Sequence, residues 1–271
     1  MSEFLTVIKL GGALLTDKQR PYTLRQSVLD QVASEIKAAL DAGLIERLIL
    51  VHGVGSFGHP PVVQHQLHKG LKSAEQLIHL TDTQNKVIQI RLAIAEAFHD
   101  AGVAACTILP SSCMTASGFA LESSYLDALA GFLDIGMAPL LGGDVLADRQ
   151  VGFCVYGGDH IAVDLALHFQ ASRLIFATEV DGIYDKDPQK YADAQPIHEF
   201  SLSSIGGGDA LLDDHRKVDA SGAMAGKLAA VQPAREAIFA GLSVHILSMI
   251  KEGNLTDLLS GKEETGTLVV P

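Results

Sequence analysis

The chain has 271 residues, of which 48% are hydrophobic and 19% charged, a composition typical of a globular protein with a large core. No run approaches the ~20 apolar residues needed to span a membrane, and no signal-peptide pattern is visible, so we expect a cytoplasmic protein that does not contact membranes. The formal net charge of −12 repels nucleic-acid phosphates and excludes nucleic acid as the expected partner. The three cysteines, Cys106, Cys113 and Cys154, show no metal-ligand or disulfide spacing, and we expect buried free thiols.

The first half of the chain alternates apolar strands with amphipathic helices. We predict a strand from residue 6 that runs into a glycine pair, strands at 48–51, 104–109 and 138–141, helices at 24–42, 77–101 and 125–133, and a hairpin within 111–122. Residues 57–75 have no clear period and are predicted as a loop or a short helix over a site. The first strand, helix and strand form a right-handed βαβ crossover by default.

The second half continues the alternation. We predict an exposed hairpin at 145–155, helices at 161–169, 224–240 and 255–259, strands at 174–178, 243–247 and 266–270, a turn-rich loop at 179–188 and a mobile loop at 201–217. Alternating strands and helices favour an α/β fold with a mostly parallel open sheet covered on both faces, a three-layer αβα sandwich. We expect one domain over 1–271 with an N-terminal lobe, 1–170, and a C-terminal lobe, 171–271.

Glycines follow the first two predicted strands. Gly11 and Gly12 end the first strand, and Gly53, Gly55 and Gly58 follow the second. Glycines at the carboxyl ends of parallel strands let backbone N–H groups approach phosphate oxygens, and a helix that starts there adds its positive end. Tight strand-to-helix turns are the alternative reading of each glycine. Two such clusters at one edge favour a site for an anionic group, most simply phosphate.

The second glycine loop matches the spacing of a dinucleotide-binding motif. Gly53, Gly55 and Gly58 fit G-x-G-x-x-G after a strand, a weak signal when it stands alone. The residues that follow include Pro60 and Pro61, which argues against the helix that this motif requires, and no ribose-binding acid follows at the expected distance. An oxidoreductase is therefore disfavoured. No G-x-x-x-x-G-K-[ST] loop is present.

Several charged residues stand where a phosphate site would need them. Lys9 lies inside an apolar strand, and a buried ammonium requires an anion partner. Lys227 is predicted near the start of a helix, with a solvated surface lysine as the alternative. Asp159 precedes a helix, where an N-cap alone would explain it. His59 has an ordinary surface histidine as its alternative.

Together these residues resemble a known family. The segments Lys9-Leu-Gly-Gly12, His52-Gly-Val-Gly-Ser-Phe-Gly-His-Pro60, Gly158-Asp159, Thr178-Glu-Val-Asp-Gly-Ile-Tyr184 and Gly222-Ala-Met-Ala-Gly-Lys227 are similar to the amino acid kinase family over nearly the whole chain. Within that family, Gly-Ser-Phe-Gly-His-Pro together with Lys18 resembles the branch that uses ATP and Mg²⁺ to convert isopentenyl phosphate into isopentenyl diphosphate. A kinase of fosfomycin or another small phosphonate is the alternative, and a non-catalytic nucleotide-binding protein is a further one.

The resemblance implies a role for each residue. Lys9 would contact the transferred phosphoryl group, Lys18 would stabilise the transition state, and His59 would bind the acceptor phosphate. Asp159 would hold the lysines, and Lys227 would bind the terminal phosphates of ATP. The implied ATP site comprises Lys9, Gly11, Gly12, Ala13, Gly55, Thr178, Asp181, Tyr184, Gly226 and Lys227, and the implied acceptor site comprises Val54, His59 and Gly158. The resemblance implies no protein ligand for a metal, and it implies a homodimer.

Three positions depart from the family pattern. Val54 replaces the middle glycine of a His-Gly-Gly-Gly loop, and a positive φ there would strain a β-branched residue. Ala13 stands where a serine is common, and His160 stands where a second aspartate is common. An isoprenoid acceptor would also need an apolar pocket, for which the helix 77–98 and the strand 104–109 are the expected walls.

Overall fold

The computed structural model describes residues 4–186, 188, 190–204, 222–262 and 265–271. The predicted mobile loop at 201–217 lies outside the described residues from residue 205 onward. The strands are β1 (Leu5–Leu10), β2 (Arg47–His52), β3 (Ala105–Thr107), β4 (Met114–Ser117), β5 (Ala120–Ser124), β6 (Ala138–Gly142), β7 (Asp144–Asp148), β8 (Gly152–Tyr156), β9 (Arg173–Thr178), β10 (Ile183–Tyr184), β11 (Pro196–Ile197), β12 (Glu199–Ser201), β13 (Ser243–Ser248) and β14 (Thr267–Val270). The helices are α1 (Gly12–Leu15), α2 (Gln26–Asp41), α3 (Gly55–Gln64), α4 (Gln76–Asp100), α5 (Pro110–Cys113), α6 (Asp127–Asp134), α7 (Gly158–His168), α8 (Gly222–Val231), α9 (Arg235–Phe239) and α10 (Asn254–Leu259).

A mostly parallel sheet runs through the middle of the molecule. Within the described ranges its strand order is β12-β14-β13-β9-β1-β2-β6-β3, and only the β13–β14 pairing is antiparallel. β1 lies between β2 and β9, so Lys9 is in register with Val51 on one side and Phe176 on the other. The carboxyl ends of these three strands therefore meet at one edge, where ligands bind in open α/β sheets.

Side chains along β1 alternate between two hydrophobic cores. Leu5 and Val7 pack in a core shared with α7 and α8, whereas Ile8 and Leu10 pack in a core shared with α2 and α4. Successive side chains of a strand point to opposite faces, so Lys9 lies on the same face as Val7, toward α7. The helices on both faces confirm the predicted α/β sandwich.

A second, smaller sheet lies beside the main one. Its order is β5-β4-β7-β8, and it contains the two hairpins β4–β5 and β7–β8. Both hairpins are predicted from the sequence and confirmed here, with the short helix α5 placed before the first. The expectation that the second is exposed is wrong, because Leu146 and Cys154 pack in the main core and Val145 and Phe153 in a smaller apolar cluster. β8 leads directly into α7, which brings the start of that helix to the carboxyl edge of the main sheet.

The helix after the second glycine loop differs from the prediction. The sequence disfavoured a helix directly after this loop because of Pro60 and Pro61, yet α3 starts at Gly55 and contains both prolines. Pro60 has no N–H to offer the carbonyl of Ser56, one turn earlier. That carbonyl instead accepts a hydrogen bond from the backbone N–H of Tyr22 at 3.4 Å, which satisfies the acceptor that the proline leaves free.

The predicted helix at 224–240 is also interrupted. α8 ends at Val231, a 3₁₀ turn follows at Gln232–Ala234, and α9 then begins at Arg235. Pro233 lies in that turn and cannot donate a helical hydrogen bond, which explains the break. None of the described helices is long and apolar enough to cross a membrane.

Candidate active site

Three helices start at the carboxyl edge of the main sheet. α1 follows β1 at Gly12, α3 starts at Gly55 soon after β2, and α7 starts at Gly158 after β8. The first N–H groups of a helix have no partner inside the helix, and they carry partial positive charge. None of the three N-cap residues makes a side-chain cap hydrogen bond, although in α3 the N–H of Ser56 donates to Thr16 Oγ1 at 3.0 Å. The backbone at this edge thus presents unused donors to an anion, as the glycine pattern predicts.

The first two glycine loops touch each other through backbone atoms. A Cβ atom on Gly12 would lie 2.5 Å from the backbone nitrogen of Gly55, and one on Gly53 would lie 2.5 Å from the nitrogen of Gly12. Gly55 has φ +46°, and a Cβ there would lie 2.1 Å from Thr16 Oγ1. These glycines are needed because a side chain would push the two loops apart.

The structure accounts for the Val54 departure. Val54 has φ −85°, in the right-handed helical region, and the positive φ falls on Gly55 instead. The strain expected at a β-branched residue is therefore absent. Ala13 lies half-buried within α1, and His160 is exposed in the first turn of α7, with its ring centroid 5.6 Å from that of Tyr156.

A buried pair of lysines shares one carboxylate. The Nζ atom of Lys9 is 2.6 Å from Oδ1 of Asp159, and the Nζ atom of Lys227 is 3.4 Å from both carboxylate oxygens. Both lysines are 6% exposed, and Lys227 Nζ also lies 4.9 Å from the ring centroid of Phe176. The anion partner predicted for Lys9 is confirmed. The alternative of a solvated Lys227 is wrong, because its position within α8 faces the core rather than water.

The shared charge shifts two pKa values. Burial alone would raise the pKa of Asp159, but the charges of Lys9 and then Lys227 outweigh burial and hold it below its usual value. Burial, reinforced by the charge of Lys9, lowers the pKa of Lys227 to about 8, and Asp159 only partly opposes this shift. Two ammonium groups against one carboxylate leave a net positive charge at the carboxyl edge.

His59 lies on α3, close enough to this cluster to sense its charges. The side chain is exposed, yet desolvation lowers its pKa, the charge of Lys9 lowers it further, and Asp159 acts in the opposite direction. The ring is therefore accessible to a ligand while it lies within the field of the lysine cluster. The sequence-predicted residues Lys9, His59, Asp159 and Lys227 are thus brought together at one edge.

Lys18 reaches the same edge from the loop after α1, where sequence analysis missed its partner. Its ammonium forms an ion pair with Glu179, the residue after β9, and the second carboxylate oxygen of Glu179 is 3.6 Å from Nη1 of Arg25. The Lys18 side chain is 65% exposed. Glu179 directly follows Thr178 in a segment that resembles the family, and this position is the sequence feature that could have indicated the contact.

The residues predicted for the nucleotide lie around the end of β9. Gly11 donates its N–H to the carbonyl of Ala177 at 2.8 Å, which joins the first glycine loop to this strand. The hydroxyl of Thr178 donates to the carbonyl of Val180 at 2.6 Å and so holds the following turn. Thr178 thus shapes the backbone here, with its own hydroxyl already engaged.

The other predicted nucleotide residues lie farther along the chain. Asp181 is exposed, and Tyr184 is half-buried, with a pKa raised by desolvation and by the nearby Asp181 charge. Gly226 is exposed on α8, directly before Lys227, with open space where a side chain would begin. An open backbone beside a buried cation leaves room for a phosphate chain.

The donor set at this edge suits phosphate groups better than a bare metal ion. In the part of the chain that the structure describes, no group of three or more His, Cys, Asp or Glu side chains is arranged to hold a metal. Lysine ammonium groups and helix N-termini bind anions, whereas Mg²⁺ requires oxygen ligands. A magnesium ion here would be held chiefly by phosphate oxygens and water.

The comparisons with known proteins agree with this geometry. The model of the amino acid kinase family matches residues 4–248. An isopentenyl phosphate kinase of Methanothermobacter thermautotrophicus is 30% identical over 275 residues, which cover 98% of each chain, and a uridylate kinase of Actinobacillus pleuropneumoniae is 24% identical over 97% of this chain and 96% of its own length.

The fold comparison gives the same assignment. A crystal structure of an isopentenyl phosphate kinase superposes with a TM-score of 0.82 at 27% sequence identity, covering 98% of this chain and 100% of that chain. The family match, the full-length relatives and the shared sheet with its glycine loops all agree with the resemblance seen in the sequence. The chain belongs to the amino acid kinase family.

Proposed function

We propose that this chain is an ATP-dependent kinase that phosphorylates isopentenyl phosphate to isopentenyl diphosphate. The observation that carries the proposal is the buried pair Lys9 and Lys227 on the single carboxylate of Asp159, placed where α1, α3 and α7 begin. Phosphoryl transfer is catalysed mainly by positioning and by stabilising charge on phosphate oxygens. The full-length relative named as an isopentenyl phosphate kinase supports this choice of acceptor.

The reaction needs no strong general base. An oxygen of the acceptor phosphate, already anionic at neutral pH, attacks the γ-phosphorus of ATP, the bond from that phosphorus to the β,γ-bridging oxygen breaks, and ADP leaves with the electron pair. Lys9 stabilises the phosphoryl group in flight, and Lys227 stabilises the charge that develops on the leaving phosphates. Asp159 keeps the two ammonium groups in place.

The acceptor phosphate binds on the α3 side. His59 donates an N–H to it, and the backbone near Val54 and Gly158 adds further donors. Lys18 leaves Glu179 and moves toward the transferred group as the transition state forms, which its exposed side chain permits. Mg²⁺, bound by the nucleotide phosphates, supplies further charge neutralisation when it is present.

An apolar cluster between α3, α4 and the β7–β8 hairpin is the proposed wall for the hydrocarbon tail. It consists of Val62, Leu67, Val145 and Phe153, with Leu80 and Val155 packed against it. α3 carries both Val62 and His59, so one helix joins the phosphate end of the acceptor to the tail end. A polar phosphonate such as fosfomycin would gain little from these side chains.

The nucleotide side is proposed to lie on the C-terminal portion. Thr178 ends β9, Asp181 and Tyr184 follow it, and Gly226 and Lys227 lie on α8. Residues 171–271 would therefore bind most of ATP, with its phosphates also contacting Lys9 and the first glycine loop, and residues 1–170 would bind the acceptor. We also propose that the enzyme acts in the cytoplasm as a homodimer, as the family resemblance implies.

A product assay tests the proposal. Purified protein is incubated with ATP, Mg²⁺ and one acceptor at a time: isopentenyl phosphate, phosphate monoesters of other chain lengths, fosfomycin or uridine monophosphate. ADP release and the mass of the product are measured, with Lys9→Met as the inactive control. We expect the highest kcat/KM with isopentenyl phosphate. Turnover of fosfomycin alone would contradict the proposed acceptor, and nucleotide binding with no turnover of any acceptor would favour a binding protein.

A further inference from the structure

A charged side chain lies within the apolar stripe of α4. Arg91 stands between Ile90 and Ile94 on the buried face of the helix and is only 1% exposed. Its Nε–H donates to Nε2 of His52 at 3.2 Å, and its Nη2 is 3.7 Å from Oδ2 of Asp144. Within the described residues neither Nη1 nor Nη2 has a hydrogen-bond partner. Burying a guanidinium carries a large desolvation penalty, so its presence here needs an explanation.

The contact with Arg91 determines which proton the His52 ring carries. A guanidinium only donates, so Nε2 of His52 must be the acceptor, and the proton of the neutral ring lies on Nδ1. Nδ1–H then donates to the carbonyl of Gly53 at 3.2 Å. Burial and the Arg91 charge lower the His52 pKa to about 3, so the ring stays neutral at physiological pH. Both ends of the ring are thereby fixed.

His52 in turn contacts the glycine segments of the site. Its carbonyl accepts the N–H of Gly143 at 3.0 Å, and a Cβ on Gly158 would lie 2.8 Å from that carbonyl. Its ring lies so close to Gly142 that a Cβ there would be 2.1 Å from Nε2. The residue after it, Gly53, is the one packed against the first glycine loop. His52 is thus the common support of the loops after β2 and β6 and of the start of α7.

Asp144 links Arg91 to the loop after β6. Its Oδ2 accepts from the backbone N–H of Ser111 at 3.3 Å and from the Ser111 hydroxyl at 3.1 Å, and its Oδ1 accepts from Val145 N–H at 2.8 Å. Asp144 directly follows Gly143. The Arg91 charge is therefore balanced by the carboxylate that ends the glycine segment resting on His52.

We propose that Arg91 is a positioning residue of the acceptor-phosphate site, acting through His52 and Asp144 on the backbones of Gly53 and Gly143. Without the Arg91 donor, the His52 ring loses the contact that fixes its orientation, and the Gly53 carbonyl loses a fixed partner. A small displacement of these loops misplaces the donors that hold the acceptor phosphate, which weakens acceptor binding and also lowers the rate of transfer. The inference rests on the proposed function for the identity of the acceptor only.

The first test uses NMR of ¹⁵N-histidine-labelled enzyme, with the His52 signals assigned by their absence in His52→Gln. In the wild type we expect the proton on Nδ1, with no titration between pH 5 and pH 8, because the His52 pKa is about 3. In Arg91→Met we expect a changed tautomer population or exchange broadening, and in the packing control Ile94→Val we expect wild-type signals. A wild-type proton on Nε2, or unchanged signals in Arg91→Met, would overturn the proposal.

The second test separates the KM for acceptor from the KM for ATP. We expect Arg91→Met to raise the acceptor KM about tenfold and to leave the KM for ATP within about twofold. Arg91→Lys, which keeps a cationic donor group, should fall between the wild type and Arg91→Met, and Ile94→Val should match the wild type. An unchanged acceptor KM, or an equal rise in both KM values, would overturn the positioning role. If Arg91→Met does not fold, the proposal is tested by the acceptor KM of Arg91→Lys and by the position of the His52 proton in the wild-type spectrum.

The experiments distinguish a failure of the proposed function from a failure of the proposed role of Arg91. A wild-type enzyme that ignores isopentenyl phosphate but uses another phosphate acceptor contradicts the proposed acceptor. The KM comparison for Arg91 is then made with that acceptor. A wild type without any turnover contradicts the kinase proposal, while the His52 spectrum still tests whether Arg91 fixes the ring.

Discussion

The Nζ atom of Lys9 and the Oδ1 atom of Asp159 lie 2.6 Å apart, and the same carboxylate is 3.4 Å from Nζ of Lys227. One carboxylate thus balances two buried ammonium groups, one from the central strand and one from α8. The surplus positive charge is available to phosphate groups. The carboxylate offsets the repulsion between the two ammonium groups and so keeps them close together. In a chain of net charge −12, this local surplus is what allows two anionic substrates to meet.

Replacing Asp159 with asparagine should both destabilise the protein and abolish most activity. The change leaves two buried ammonium groups without a counter-ion, and we expect a loss of about 3 kcal/mol in the free energy of unfolding at neutral pH. The loss should shrink above about pH 8, as Lys227 gives up its proton. Urea unfolding at several pH values measures the effect, with the exposed Asp181→Asn as control. Wild-type stability at pH 7 would show that the pairing is not needed.

The pH dependence of ATP use should report Lys227. Its pKa of about 8 means that the free enzyme loses this cation as pH rises above 8, so kcat/KM for ATP should fall there. The free energy of unfolding should instead rise over the same pH range. Between about pH 8 and pH 10.5 the unfolded chain holds more protons at this lysine than the folded chain does, so the free energy of unfolding rises with pH. A parallel fall of both quantities would contradict the assignment.

His59→Ala should weaken acceptor binding without affecting the fold. Loss of one hydrogen bond to an anionic phosphate costs about 1.5–3 kcal/mol, which corresponds to a rise of about 10- to 160-fold in acceptor KM. The lowered His59 pKa leaves the ring largely neutral at pH 7, so the neutral donor of His59→Gln should restore much of the loss. Steady-state kinetics and thermal melting measure this. Equal KM values for wild type and His59→Ala would remove the residue from the site.

Lys18→Ala should lower kcat much more than it raises the KM for ATP, as expected for an interaction made only in the transition state. The Lys18–Glu179 ion pair is solvent-exposed on the lysine side, so neither Lys18→Ala nor Glu179→Gln should shift the melting temperature appreciably. Glu179→Gln, which frees the lysine but keeps the side-chain shape, should retain more activity than Lys18→Ala. A rise in KM for ATP with unchanged kcat would contradict the transition-state role.

Adding a methyl group at Gly53 should be more damaging than removing the side chain at Val54. In Gly53→Ala the new Cβ would meet the Gly12 nitrogen at 2.5 Å, so the two loops must separate, at a cost of about 1–3 kcal/mol and with loss of turnover. Val54→Gly should only lower stability by about 0.5–1 kcal/mol, because Val54 already has a right-handed helical φ. Full activity of Gly53→Ala would refute the close loop contact.

Much of this architecture is encoded in local sequence patterns. The strands β1, β2, β9 and β13 are short apolar runs, and α2, α4 and α7 have clear helical spacing, so their order and position are predictable. The ion partner of Lys9 is predictable in kind, because a buried ammonium cannot remain alone. That the partner is Asp159 follows from the family resemblance and not from local patterns, because it depends on the parallel order of the sheet and on the entry of α7.

The misses share a physical cause, since each depends on a contact from a distant segment. α3 tolerates Pro60 because Tyr22, far away in sequence, supplies the missing donor to the Ser56 carbonyl. Lys227 is buried because α8 packs against Phe176 and the α7 start. Arg91 did carry a local signal, a charge at a position of the α4 stripe that should be apolar, but its partners become visible only when β2 and β7 are placed beside that helix.

The two hairpins of the smaller sheet have a consequence for how the family can diversify. β4–β5 and β7–β8 carry none of the lysines at the carboxyl edge, and within the described residues they pair only with each other. Apart from Asp144, which contacts Arg91 from the start of β7, their sequences can therefore drift without disturbing the transfer chemistry. Changes in acceptor range among relatives should accumulate in these hairpins, while the strands that carry Lys9 and precede Glu179 change slowly.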